Sequence, residues 1–242
     1  MYEAFFCLLW LIGGFISGVS GLGGAMVAVP FVSLFLEPQV LVPIANCLAV
    51  VMCLELGWIY RKDLLVHEVK NMMLGSLPGL VLGTYILLII PTPFLLMSIG
   101  TVMICFVLWQ FLHKVPKKAG QPSIIKALAA GFFSGLFSTS VSFSGPPCGV
   151  YALHMHWTQR QSLGTINAFV VLASLVGVAV YYKAGLMTEE VLYWTLYGAV
   201  SSSVGILLAI PVNRFVNVRL FRMILLIVIG MGGMICIVKF FL

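Results

Sequence analysis

The sequence predicts an all-α membrane protein that crosses the bilayer several times. Hydrophobic residues make up 62% of the 242-residue chain and charged residues only 8%, whereas soluble domains carry about 25% charged residues. The mean hydropathy is +1.14. Eight apolar segments alternate with short polar loops, and a membrane-spanning helix needs about 20 such residues. A soluble enzyme and a nucleic-acid-binding protein are therefore not expected.

The apolar segments divide into two sets of four. The first set lies at 4–36, 40–60, 71–90 and 93–113, and the second lies at 124–157, 162–182, 190–210 and 220–241. The six shorter segments have the length of single transmembrane helices.

The first segment of each set is too long for one helix. As straight helices, 4–36 and 124–157 would each extend about 50 Å, well beyond the roughly 30 Å of membrane hydrocarbon. Each is interrupted in its middle, the first by GVSGLGG and the second by STSVSFSGPP. Glycine and proline interrupt helices. We therefore predict two re-entrant hairpins of broken helix whose tips lie near the membrane midplane.

The two halves of the chain resemble each other. GFISG at residues 14–18 returns as GFFSG at 131–135, and the Asn46 and Tyr60 positions match Asn167 and Tyr181 further on. An ordered set of matches at a nearly constant offset indicates an internal repeat. We predict a first repeat over 1–113, a polar linker over 114–123 and a second repeat over 124–242.

The distribution of Lys and Arg selects the orientation of the repeats, because cytoplasmic loops of membrane proteins are enriched in both. If all eight segments cross, nine of these residues lie on one side and four on the other. If 4–36 and 124–157 are hairpins that do not cross, the division is eleven to two. Each half then has three crossings, which makes the repeats inverted. This predicts a multi-pass protein of the bacterial inner-membrane type, with both termini outside and the linker cytoplasmic.

Two inverted hairpins would bring their tips together inside the membrane. Discontinuous helices at a repeat interface commonly form the substrate site of a transporter. The helices that restart near Ala25 and Pro146 would direct their N-terminal N–H groups at that point, and helix N-termini favour anions. We therefore predict a secondary carrier of small anions that works by alternating access.

The motifs at the two tips resemble a known family. GFISGVSGLGGAMVAVP at 14–30 and SGPPCGVYAL at 144–153 are similar to the two signatures of the TauE/SafE sulfite-exporter family, of the toluene-sulfonate uptake permease type. The resemblance implies transport of sulfite, sulfonates, sulfoacetate or similar anions. When the family's binding positions are transferred to this chain, the resemblance implies that the substrate binds at Ser20, Gly21, Gly23, Gly24, Ser144, Gly145 and Pro146.

Further polar residues join the predicted site. Ser140 and Ser142 place hydroxyls at the second tip, where the family pattern has more glycine. Asn46 and Asn167 occupy matching positions, and each either bonds a neighbouring helix or contacts a hairpin tip or the substrate. Glu55 is a carboxylate within a crossing segment, which makes it a candidate for proton coupling.

Two other functions are alternatives to an anion carrier. An anion channel is one, and an intramembrane serine hydrolase that uses Ser20 of the GxSG at 18–21 is another, although the histidines fall near the membrane edges. No metal site and no cofactor are predicted. The expected partners are a small anion and the lipid bilayer, without nucleic acid. GxxxG spacings at 14–18, 79–83 and 131–135 suit close helix packing, either within the chain or in a homodimer.

Overall fold

The protein is helical throughout the part that the computed structural model describes, residues 2–21, 23–112, 123–212 and 218–241. The α-helices there are α1 (Tyr2–Ser20), α2 (Gly24–Val32), α3 (Pro38–Tyr60), α4 (Val66–Ile89), α5 (Thr92–Leu112), α6 (Ile124–Val141), α7 (Gly145–His154), α8 (Gln159–Lys183), α9 (Glu189–Val212) and α10 (Val218–Phe241). Eight of these helices have the length and apolar composition needed to cross a membrane. The predicted all-α membrane fold is confirmed.

Each long apolar segment folds back on itself. In the first, the Gly24 amide donates to the Ser17 hydroxyl over 2.8 Å, and the rings of Phe35 and Tyr2 stack 5.8 Å apart. In the second, the Cys148 thiol donates to the Ser134 hydroxyl over 3.2 Å, and Lys126 Nζ lies 3.0 Å from His154 Nε2. The early part of each segment thus meets its late part, so α1–α2 and α6–α7 are antiparallel pairs.

The two arms of each hairpin differ in length. The first arms, α1 and α6, have 19 and 18 residues, whereas the return arms α2 and α7 have 9 and 10. At 1.5 Å per residue, the first arms are about 28 Å long, close to the thickness of membrane hydrocarbon. The return arms start deep in the protein and run back only part of that distance.

Matching helices of the two halves pack against each other in opposite directions. Along α3 and α8, Asn46 lies beside Gly177, whereas the Tyr60 carbonyl lies beside Gly164. Along α5 and α10, the rings of Phe94 and Phe240 meet at 5.4 Å near opposite ends of the two helices. Both pairs are therefore antiparallel, which is the direction that an inverted repeat requires.

The GxxxG glycines serve packing within the chain. A Cβ at Gly14 would lie 2.1 Å from the Ser202 carbonyl oxygen, and one at Gly131 would lie 1.9 Å from the Met72 carbonyl oxygen. These contacts join α1 to α9 and α4 to α6. The 79–83 glycines contact α6 in the same way. Only glycine allows two helix backbones to approach this closely, so all three motifs are used inside one chain.

The linker predicted at 114–123 falls outside the described residues, apart from Ser123, which precedes α6. The division into two repeats with cytoplasmic and external ends stays a prediction.

Candidate functional site

Left-handed backbone forms the first tip. Gly21 has a φ of 80° and Gly23 a φ of 103°, values that glycine adopts without steric cost. This turn lets α1 end at Ser20 and α2 begin at Gly24 in the opposite direction. In the second hairpin Ser142 adopts the left-handed conformation after α6, and α7 then begins at Gly145.

The two tips meet at a small central cavity, which we define by its lining residues. They are Ser17, Gly23, Gly24, Ala25, Met26, Ala49, Met52, Cys53, Leu56, Ser142, Ser144, Gly145, Asn167 and Val170. The cavity has a volume of about 50 Å³. Both hairpins and both central helices, α3 and α8, contribute to it. A single water needs about 10–15 Å³ of such space, so the central cavity has room for several waters or a small oxyanion.

A second, wide cavity lies next to the central one. Its volume is about 330 Å³, and it extends from Gly23 and Gly145 to Trp109 at the end of α5 and Trp157 after α7. Met26 lines both cavities, and a Cβ at Gly145 would lie 2.8 Å from Met26 Cε. The Met26 side chain therefore lies at the boundary between the two cavities, together with Gly23 and Gly145, which also line both.

The central cavity contains no charged lining residue among those that the structure describes. Its positive potential comes instead from the N-terminal turn of α2, whose first N–H groups have no partner inside the helix. The Gly24 amide is bonded to Ser17, which leaves the amides that follow it. In α7 the second and third residues are Pro146 and Pro147, which have no N–H. Donors from helix ends thus come mainly from α2.

Two serines that were not among the predicted site residues hold the two arms of each hairpin together. Ser17 accepts from the Gly24 amide at the start of α2, and Ser134 donates to the Ser144 carbonyl just before α7. Both are buried. They are the serines of GFISG and GFFSG, so the repeated motif could have identified both of them from the sequence.

The matching asparagines have different partners. Asn167 Nδ2 donates to the Gly21 carbonyl over 3.1 Å and to the Leu163 carbonyl over 2.8 Å, which fixes the first tip to α8. The Asn46 side chain is equally buried, but it makes no hydrogen bond to a hairpin tip among the described residues; the polar group beside it is the Tyr181 hydroxyl, which donates to the Thr139 carbonyl. Asn167 lines the central cavity, and Asn46 lines neither cavity.

The predicted site residues fall into three groups. The central cavity brings together Gly23, Gly24, Ser142, Ser144, Gly145 and Asn167. The wide cavity contains Ser20 and Pro146, in addition to Gly23 and Gly145. Neither cavity is lined by Gly21, Asn46 or Ser140. Ser140 donates to the Leu136 carbonyl and lies in a separate surface groove between α4, α5 and α6.

Glu55 lies on another face of α3 from the cavity-lining residues. Its carboxylate accepts a 2.6 Å hydrogen bond from the Ser203 hydroxyl on α9, and it lines neither cavity.

Residues suited to hydrolysis or metal binding are not brought together. The Ser20 hydroxyl donates to the Ile16 carbonyl over 2.7 Å, and no described histidine lines a cavity with Ser20. Among the described residues no group of three His, Cys, Asp or Glu side chains could hold a metal ion.

Comparison with known proteins adds one match. The sequence profile of the family described as "Sulfite exporter TauE/SafE" matches residues 6–235, nearly the whole chain. No curated protein and no solved structure matches the sequence significantly.

Proposed function

The chain belongs to the sulfite exporter TauE/SafE family of membrane transporters, and from this premise we propose that it is a secondary carrier of small anions of the sulfite type. The substrate binds in the central cavity, between the two hairpin tips, and alternating access carries it across the cell membrane. One observation supports this most directly: both broken helices restart at the same small cavity, where serine hydroxyls, backbone groups and Asn167 lie among apolar side chains.

The composition of the cavity suits a carrier of anions. The N-terminal turn of α2 supplies backbone donors and Ser144 supplies a hydroxyl, whereas the Ser142 hydroxyl at the same cavity donates to the Val42 carbonyl. Of the residues that the structure describes, no Lys or Arg lines the cavity, so the anion is held by dipoles and hydrogen bonds. A carrier must also release its cargo, and binding without a full counter-charge favours release. The volume of about 50 Å³ fits a three- or four-oxygen ion better than a longer organic sulfonate.

The antiparallel pairing of α3 with α8 and of α5 with α10 supports inverted repeats. Such repeats give two related conformations, which expose one central site to opposite sides in turn. The orientation with both termini outside follows from the distribution of Lys and Arg.

An asymmetry between the halves supports alternating access. On one side, α2 packs on α10: Lys239 Nζ donates to the Ser33 carbonyl, and Ser33 Oγ lies 3.7 Å from Cys236 Sγ. On the other side, the wide cavity occupies the space between α7 and the matching helix α5. Among the described residues, the end that carries Ser33 is thus held by contacts between helices, whereas a cavity extends from the tips towards the end that carries Trp157.

The asparagines follow the same asymmetry. Asn167 bonds the tip of the first hairpin, whereas Asn46 lies close to Thr139 near the tip of the second but makes no hydrogen bond to it. In the alternate conformation we expect Asn46 to bond the second tip and Asn167 to release the first.

The experiment that tests the function is counterflow in proteoliposomes that contain the purified chain. Unlabelled sulfite inside the vesicles should drive transient accumulation of labelled sulfite, with a rate that saturates. Flux that never saturates and shows no counterflow would favour the channel alternative. Proton coupling by Glu55 remains a prediction: Glu55→Gln should abolish uptake driven by a pH gradient and leave counterflow intact, whereas intact proton-driven uptake would exclude this role.

A further inference from the structure

The orientation of the Asn167 amide is determined by its neighbours. Its Nδ2 donates to two carbonyl oxygens, those of Gly21 and Leu163. Exchanging the nitrogen and oxygen of the amide would place an acceptor against two acceptors. The atom that remains is therefore Oδ1, and it can only accept a hydrogen bond.

Asn167 Oδ1 is buried and has no partner. The side chain is fully buried and lines the central cavity, and no described group donates to its oxygen. Buried polar atoms in native proteins are nearly always hydrogen-bonded, so an orphaned acceptor at a cavity indicates a missing donor.

The other polar groups around the cavity can donate. They are the amides that follow Gly24 in the first turn of α2 and the hydroxyls of Ser17 and Ser144, whereas Ser142 Oγ already donates to the Val42 carbonyl over 3.3 Å. A ligand that satisfies the whole set must accept hydrogen bonds on one side and donate one to Asn167 on the other.

We propose that the central cavity selects an oxyanion that retains one proton, such as hydrogen sulfite, with its proton-bearing group donating to Asn167 Oδ1. This inference rests on the proposed function and specifies the charge state of the cargo. The proton stays on the ligand and no bond is broken. A fully deprotonated oxyanion would place an oxygen against Oδ1, which is repulsive. A sulfonate would bring no donor.

Two anions and a pH series test the inference by titration calorimetry on the full chain. Hydrogen sulfite loses its proton near neutral pH. If only the protonated form binds, the apparent Kd for total sulfite rises about tenfold per pH unit above the pKa of that ion. Methanesulfonate carries the same single charge and no O–H group. It should bind at least tenfold more weakly, with an affinity that does not follow the titration of sulfite.

The outcomes separate this inference from the proposed function. Sulfite affinity that stays constant or increases as the pH rises, or methanesulfonate that binds as well as hydrogen sulfite, would overturn the inference and leave the anion site standing. Absence of binding by both anions would overturn the site as well.

A pair of variants on α8 adds a structural control. Asn167→Ala removes the orphaned acceptor and should reduce the preference for hydrogen sulfite over methanesulfonate at least fivefold. Ser174→Ala removes a buried hydroxyl that also has no partner but lines neither cavity, and it should keep the preference. An unchanged preference in Asn167→Ala would contradict the assignment. If that variant does not fold, the pH series and the methanesulfonate comparison decide on the native chain.

Discussion

The contact between the arms of the first hairpin can be tested with one methyl group. A Cβ at Gly24 would lie 2.2 Å from the Gly13 carbonyl oxygen, 2.5 Å from Ser17 Oγ and 2.7 Å from Met52 Cε. An ordinary contact is at least 3.4 Å, so α1 and α2 must separate by about 1 Å to accept alanine. Overpacking of this kind costs about 1–3 kcal/mol.

Gly149 supplies the matched control on the return arm of the second hairpin. A Cβ there meets nothing within 4 Å. Gly149→Ala should therefore stabilise α7 by about 1 kcal/mol through helix propensity alone. The two variants should differ by about 2–4 kcal/mol in the free energy of unfolding, the sum of these two effects.

The assay is unfolding by SDS in mixed micelles, followed by tryptophan fluorescence. We expect Gly24→Ala to unfold at lower SDS than the native chain and Gly149→Ala at higher SDS. Equal stability of the two variants would refute the packing of α2 against α1, and the position of the first tip would then have no basis.

Three further predictions concern the substrate site, the contact between α2 and α10, and the boundary between the two cavities. Asn167→Ala should destabilise the protein by about 1–3 kcal/mol, since it leaves the buried Gly21 carbonyl without its side-chain donor. Asn46→Ala should cost less, because Asn46 makes no hydrogen bond to a hairpin tip; equal losses in SDS unfolding would contradict the difference between the halves. Ser33→Cys should form a disulfide with Cys236 upon oxidation and stop transport until a reductant is added. If mass spectrometry shows that the disulfide has formed and transport still continues, movement of α2 relative to α10 is excluded. Met26→Ala should join the two cavities and accelerate anion exchange from the open end, so an unchanged dissociation rate in stopped-flow measurements would show that Met26 is not a barrier.

The general architecture could be predicted from the sequence because the membrane restricts the choices. Segment length and composition identify the helices, and the interruptions in two overlong segments, one rich in glycine and one rich in serine and proline, identify the hairpins. The glycines that take a positive φ at the first tip, Gly21 and Gly23, lie within one of those interruptions.

Several parts of the site could not be predicted, for physical reasons. Ser140 and Ser142 are two residues apart in the sequence, but Ser140 is still within α6 and faces a different groove, whereas Ser142 follows α6 in the left-handed conformation and reaches the central cavity. Asn46 and Asn167 occupy matching positions, yet their partners differ because one conformation of a symmetric pair must break the symmetry. Nothing in the sequence marked Met26 as a residue that lines both cavities, since a methionine in an apolar helix is usually a core residue.

The central claim is that a small anion binds between the two hairpin tips. The most direct measurement is protection of single cysteines from a membrane-permeant thiol reagent, in a transport-competent chain that has no other cysteine. Cysteine at Ser144 lines the central cavity, and cysteine at Ser140 lies outside it. We predict that sulfite slows the labelling of Ser144→Cys at least fivefold more than that of Ser140→Cys, whose rate reports the direct reaction of sulfite with the reagent. Equal slowing at the two positions, in protein that still transports sulfite, would contradict a site between the tips.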